Sequence, residues 1–151
     1  MRSLKRFWEL PSDEKGWLIE AFLLLGFYRA AIALVPLKRL LRPMHVYDPA
    51  SEPPPERTQE STLRTARRIG RSILRAAGHT PWQSRCLVQA LTASSMLRRR
   101  RIGGRLYLGV QNAQTSSPLQ AHAWSRHADA ILTGEEGHER FRILSVWVWT
   151  P

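Results

Sequence analysis

Cys86 is the single cysteine of a 151-residue chain, and it stands in "TPWQSRCLVQALTASSMLRRRRIGG" (residues 80–104), where an alanine- and leucine-rich stretch begins. A thiol at the start of a helix meets unpaired backbone N–H groups and the positive end of the dipole, which favour the nucleophilic thiolate. With Ser84 as N-cap, Cys86 takes the second helical position. Thr80 with Pro81 and Gln83 is a competing start of the capping-box kind, and it sets Cys86 a turn and a half inside the helix with little benefit from the dipole. Taken alone, a free cysteine is more often a small buried hydrophobe than a nucleophile.

A thiol nucleophile needs a base, and the base needs a group to orient it. The chain has five histidines: His45, His79, His122, His127 and His138. His79 ends a helical stretch, and His45 and His138 lie in polar connections. His122 opens an expected strand in "AHAW", while alternation puts His127 on the opposite face of that strand. His122 is therefore the one that can pack across the Cys86 helix, the alternative being a strand histidine satisfied by a backbone carbonyl.

The elements that would position these groups follow from periodicity. Ser12 reads as the N-cap of a helix with Asp13 and Glu14 in its first turn, ending before Pro36. Glu20 and Arg29 interrupt its apolar run, so we expect neither a signal peptide nor a bilayer span. It would dock on its own domain or a partner, or lie on a membrane surface with Arg39 and Arg42 at the headgroups. "YDPASEPPPERTQES" (residues 47–61) reads as an extended linker between a helical arm, 1–46, and the main domain, 62–151. Next, Leu63, Ala66, Ile69, Ile73 and Ala77 recur at helical spacing, opposite a basic face of Arg64, Arg67, Arg68, Arg71 and Arg75. The Cys86 helix runs to the Arg98–Arg101 cluster and stops at Gly103 and Gly104. "RLYLGV" is an expected strand, "QNAQTSSPLQ" a polar loop, "AHAWSRH" and "AILTG" a hairpin turning at Ala128-Asp129, and "RFRILSVWVW" a last strand. Helices followed by antiparallel strands make an α+β domain.

Composition narrows the classes. Lys and Arg number 23 against 12 Asp and Glu, a net charge of +11, which suits an acidic partner. One cysteine excludes an internal disulfide and a cysteine-rich zinc site, and points to a reducing compartment. There is no glycine-rich phosphate loop followed by Lys-Ser or Lys-Thr, so no ATP site is expected.

Pro81-Trp82 shortly before Cys86-Leu87, then Gln89-Ala90-Leu91, and later His122-Ala123-Trp124, resemble the leader peptidases of lasso-peptide biosynthesis. These belong to the transglutaminase-like cysteine protease superfamily, and the likeness extends along essentially the whole chain. It implies a transglutaminase/papain-like core, a nucleophile helix packed on a small antiparallel sheet, with the N-terminal helical arm attached. Cys86 is then the nucleophile and His122 its base. The short length is similar to the split form, whose leader-recognition protein is a separate chain. A bacterial cytoplasmic setting is implied, with the arm allowing membrane association. So are a ribosomally made lasso precursor peptide as substrate and a macrolactam-forming cyclase as the next enzyme. No metal or other cofactor is called for.

Members of that family usually carry an Asp on the return strand after the histidine, where this chain reads "ILTGEE". Counting outward from a turn at Ala128-Asp129 pairs His122 with Glu135, and opposed residues share a face. Glu135 is therefore the expected third residue. Asp129, as a turn residue, should lie about 17–20 Å away, five or six strand residues off. The oxyanion would be held by the Cys86 backbone N–H and a second donor, with Gln83 and Trp82 as candidates. The competing functions are a basic nucleic-acid-binding module and a non-catalytic peptide-binding module with an inert Cys86. Against the first, no nucleic-acid-binding motif is present, and Trp147 and Trp149 stand away from the arginines.

Overall fold

The computed structural model describes residues 11–111 and 119–151. Residues 112–118 of the expected polar loop, and the first ten of the expected arm, lie outside the described residues.

Among the described residues four α-helices form one layer. Helix α1 spans Ser12–Leu34, α2 Leu37–Leu40, α3 Glu60–Ala77 and α4 Cys86–Arg99. Strands β1 (His45–Tyr47), β2 (Gly104–Gln111), β3 (Gln120–His127), β4 (Ala130–Thr133) and β5 (Arg142–Trp149) form one sheet in the order β1-β5-β2-β3-β4, every pairing antiparallel. The protein is α+β, as the succession of patterns predicts.

Alternation along the strands separates two cores. Leu106, Ala123, Leu132 and Trp149 face the helices and join Ile69, Ile73, Leu91, Met96 and Leu97 in the main core. Tyr107, Trp124 and Val146 make a smaller cluster with Phe141 and Ile143. On α3 the expected stripe is buried at Ala66, Ile69 and Ile73, while its end members Leu63 and Ala77 are half-buried and Ala76 is buried instead; Arg64, Arg67, Arg71 and Arg75 are exposed as predicted. Arg68 instead pairs with Asp13 and Glu14 and lies 4.8 Å over the Trp17 ring.

The expected arm does not stand apart. Ala21, Leu25, Leu41 and Met44 are buried in the same core as α3 and α4. Glu20, which interrupts the apolar run, ion-pairs with Arg100 at 2.6 Å and Arg99 at 3.3 Å. The arginine cluster that ends α4 thereby fastens it to α1. By length and composition alone α1 would also pass for a membrane span, contrary to the expectation from its charges. Ser12 is its first residue rather than its cap, and Pro11 precedes it.

The linker is anchored at several points. His45–Tyr47, read as a polar connection, pairs with Val146–Val148 of β5 as the edge strand β1. Glu52 hydrogen-bonds to Arg105 and Tyr107, the Pro54 carbonyl accepts from Arg105, and Thr58 reaches His127. The expected extended linker over 47–61 holds only for residues 52–59: Pro49–Ser51 form a 3-10 turn capped by Asp48, and Glu60 and Ser61 already belong to α3.

Candidate active site

Helix α4 begins at Cys86 itself, with Arg85 as N-cap at φ −69° and ψ 170°. The Ser84 hydroxyl is engaged by Thr80 at 2.8 Å, and the Ser84 carbonyl accepts from Gln89 Nε2 at 2.8 Å. Neither expected cap operates: Thr80 tightens the turn before the helix, and Ser84 holds its first turn from outside. The first intrahelical bond runs from the Gln89 N–H to the Arg85 carbonyl. The N–H groups of Cys86, Leu87 and Val88 consequently have no partner within the helix, and no side chain caps it. Cys86 is thus one position closer to the positive dipole end than the Ser84 cap predicts.

His122 lies two residues into β3, half-buried, its ring 4.9 Å from Phe141 and 5.8 Å from Trp124 between centroids. Nε2 is 2.8 Å from the carbonyl oxygen of Gly134. A carbonyl only accepts, so Nε2 carries the proton and Nδ1 is left with the lone pair. Cys86, Gln89 and His122 open onto one cleft of about 1100 Å³, which continues along β4 past Leu132 and Thr133.

The counted register fails at one place. His127 pairs with Ala130 and Arg126 with Ile131 as predicted, but a bulge follows and Ser125 faces Thr133. Strand β4 ends there, and Gly134 at φ +74° turns the chain across β3. A side chain at 134 is excluded, since its Cβ would lie 2.4 Å from the Ala123 carbonyl oxygen. The bulge removes Glu135 from the position opposite His122 and brings the Gly134 carbonyl to the ring instead. Both Glu135 and Asp129 line the cleft, from the turns at the two ends of β4. Neither carboxylate hydrogen-bonds to His122. The signal for the carbonyl was the glycine in "ILTGEE", a residue that permits such a turn.

The two expected oxyanion donors are elsewhere. The Trp82 ring packs against Phe22 and over Gly26 of α1, and its Nε1 is buried without a partner. Gln83 is exposed, its side-chain oxygen accepting from Arg85. Gln89, one turn after Cys86 and inside the cleft, is the side-chain amide that sequence reading missed. His127 is structural: Nδ1 donates to the Gly103 carbonyl at 2.7 Å and Nε2 accepts from Thr58 at 2.8 Å.

A thiol at the tip of a helix, an imidazole on the adjoining antiparallel sheet and a shared cleft define an α+β fold with a papain-like core. Over residues 30–146 the chain matches the transglutaminase-like superfamily, and it belongs to that superfamily. The superfamily commonly includes cysteine proteases and acyltransferases. No curated protein and no solved structure matches the chain.

Proposed function

We propose that the protein is a cysteine peptidase that removes the leader from a lasso-peptide precursor before macrolactam formation, with Cys86 as nucleophile and His122 as base. The observation that carries the chemistry is the pairing, in one cleft, of a thiol at the first position of α4 with an imidazole whose Nε2 is occupied by a main-chain carbonyl. The precursor assignment rests on the sequence resemblance around Cys86 and His122.

His122 Nδ1 takes the proton from the Cys86 thiol, and the thiolate attacks the carbonyl carbon at the leader–core junction. The new C–S bond pushes charge onto oxygen, where the free N–H groups at the start of α4, with Gln89 as a second donor, stabilise it. The C–N bond then breaks as the imidazolium protonates the leaving core amine. Water, deprotonated by His122, attacks the thioester; the leader leaves with a free carboxylate and the thiol is restored. The work is done in a reducing cytoplasm, alongside a separate leader-recognition protein and the cyclase.

Purified protein mixed with precursor peptide and the leader-recognition protein should yield leader and core fragments, visible by mass spectrometry. Cys86→Ala should trap uncleaved precursor. Cleavage at an undiminished rate by that variant would overturn the reading.

A further inference from the structure

A row of α3 side chains faces the cleft without taking part in the chemistry above. Strand β4 ends the sheet, so among the described residues the N–H and C=O groups along its outer side have no strand partner. Ala130, Ile131, Leu132 and Thr133 line the cleft together with Arg67, Arg71 and Leu74 of α3. The helix comes this close because residue 70 is glycine: a Cβ there would meet the Leu132 carbonyl oxygen at 2.8 Å.

Arg67 and Arg71 are exposed and have no carboxylate partner among the described residues, whereas Arg64 pairs with Glu60 and Arg68 with Asp13 and Glu14. One turn apart, the two arginines are separated by about 6 Å along the helix. Alternate residues of an extended chain are about 6.6–6.8 Å apart, nearly the same repeat. Leu74, 47% exposed, continues the row toward Cys86, since α3 ends at Ala77 and the Thr80–Ser84 bond tightens the short turn to α4. Asp129, Glu135 and Glu136 stand in the turns at either end of β4, so carboxylates flank the cleft and arginines face its middle.

We propose that this cleft binds an extended peptide as a strand added to the outer edge of β4. Acidic side chains at alternate positions meet Arg71 and Arg67, and an apolar side chain nearer the reacting bond rests on Leu74. Identifying the bound segment as substrate rests on the peptidase reading; the binding itself does not.

The probes are fluorescein-labelled nonapeptides in which Thr alternates with Glu, Gln or Lys, titrated against full-length Cys86→Ala protein at low salt. The Glu peptide should bind roughly fivefold to tenfold more tightly than the Gln peptide, as expected for two exposed ion pairs. Arg67→Glu with Arg71→Glu in the same chain, its fold checked by circular dichroism, should reverse the order of the Glu and Lys peptides. Methylating alternate backbone amides of the Glu peptide should abolish binding. Equal binding of all three peptides, an order unchanged by charge reversal, or full binding of the methylated peptide overturns the proposal. In parallel, wild-type protein is given a proteome-derived peptide library, and the cut sites are read by mass spectrometry. Cuts enriched for Asp or Glu at alternate positions on one side support it, and cuts without that enrichment overturn it while leaving the peptidase intact. Absence of any cut counts against the peptidase reading, and the titrations still decide the binding.

Discussion

At the scale of single residues, the consequential atom is the Gly134 carbonyl oxygen, because it holds the His122 ring through the main chain. A side-chain substitution cannot delete that acceptor, but it can displace it. Gly134→Ala places a methyl group in the left-handed region and against the Ala123 carbonyl, so the turn must shift. We expect leader removal by that variant to fall by at least about tenfold, comparable to losing the orienting partner of a catalytic base. Glu135→Gln and Asp129→Asn should each change the rate by less than about threefold, because neither carboxylate bonds to the imidazole; one powers-of-ten figure governs triad acids, and these are not in that position. Rate measurements on the three variants separate the cases, and a loss confined to Glu135→Gln would show that its carboxylate reaches His122 in the substrate complex. His122→Ala should abolish turnover as Cys86→Ala does.

At the scale of elements, the segment between β1 and α3 predicts behaviour at alkaline pH. Burial raises the Tyr107 pKa, and the Glu52 carboxylate that accepts its hydrogen bond raises it further. A raised folded-state pKa favours the neutral phenol in the fold. Its contribution is complete below the unfolded value near 10 and is lost as pH climbs through the folded one. Glu52→Gln should therefore move the tyrosinate absorbance transition, and the alkaline fall in melting temperature, to lower pH. The same change leaves Arg105, whose charge is opposed by burial but sustained by Glu52, without its carboxylate. That should cost about 1–3 kcal/mol at neutral pH, measurable by urea unfolding. A ladder of apolar residues on α3 or an alternating run in β5 is legible because it repeats. Glu52 was not, since a lone acidic residue among prolines carries no period, and its partners come from another part of the chain. The bulge in β3–β4 was hidden for a related reason: a register can be counted only while pairing stays regular, so His127–Ala130 was found and the environment of His122 was not. The chemical residue types at 86 and 122 were legible, whereas the cap at Arg85 has a side chain that announces nothing.

For the whole molecule, α1 takes the first of its expected places, docked on its own domain as part of the packed body. Deleting residues 1–46 would uncover the positions where Ala21, Leu25, Leu41 and Met44 are buried. The product should be insoluble or molten, checked by thermal denaturation and sedimentation; a soluble truncation with a cooperative transition would mean that the core closes without it. On its other side α1 exposes Ile19, Leu23, Phe27 and Leu34, while Glu20 and Tyr28 are tied to α4 through Arg100 and Ser95. The pairing of Tyr47 with Val146 has a temporal side as well. During synthesis β1 leaves the ribosome long before β5, and β5 is also the only strand joining it to β2. The sheet must therefore wait, with β1 unzipped, until the late strand slides between its two neighbours. Once released, a chain truncated before Arg142 should be cut quickly by added protease, and a chain that includes Arg142–Trp149 should resist.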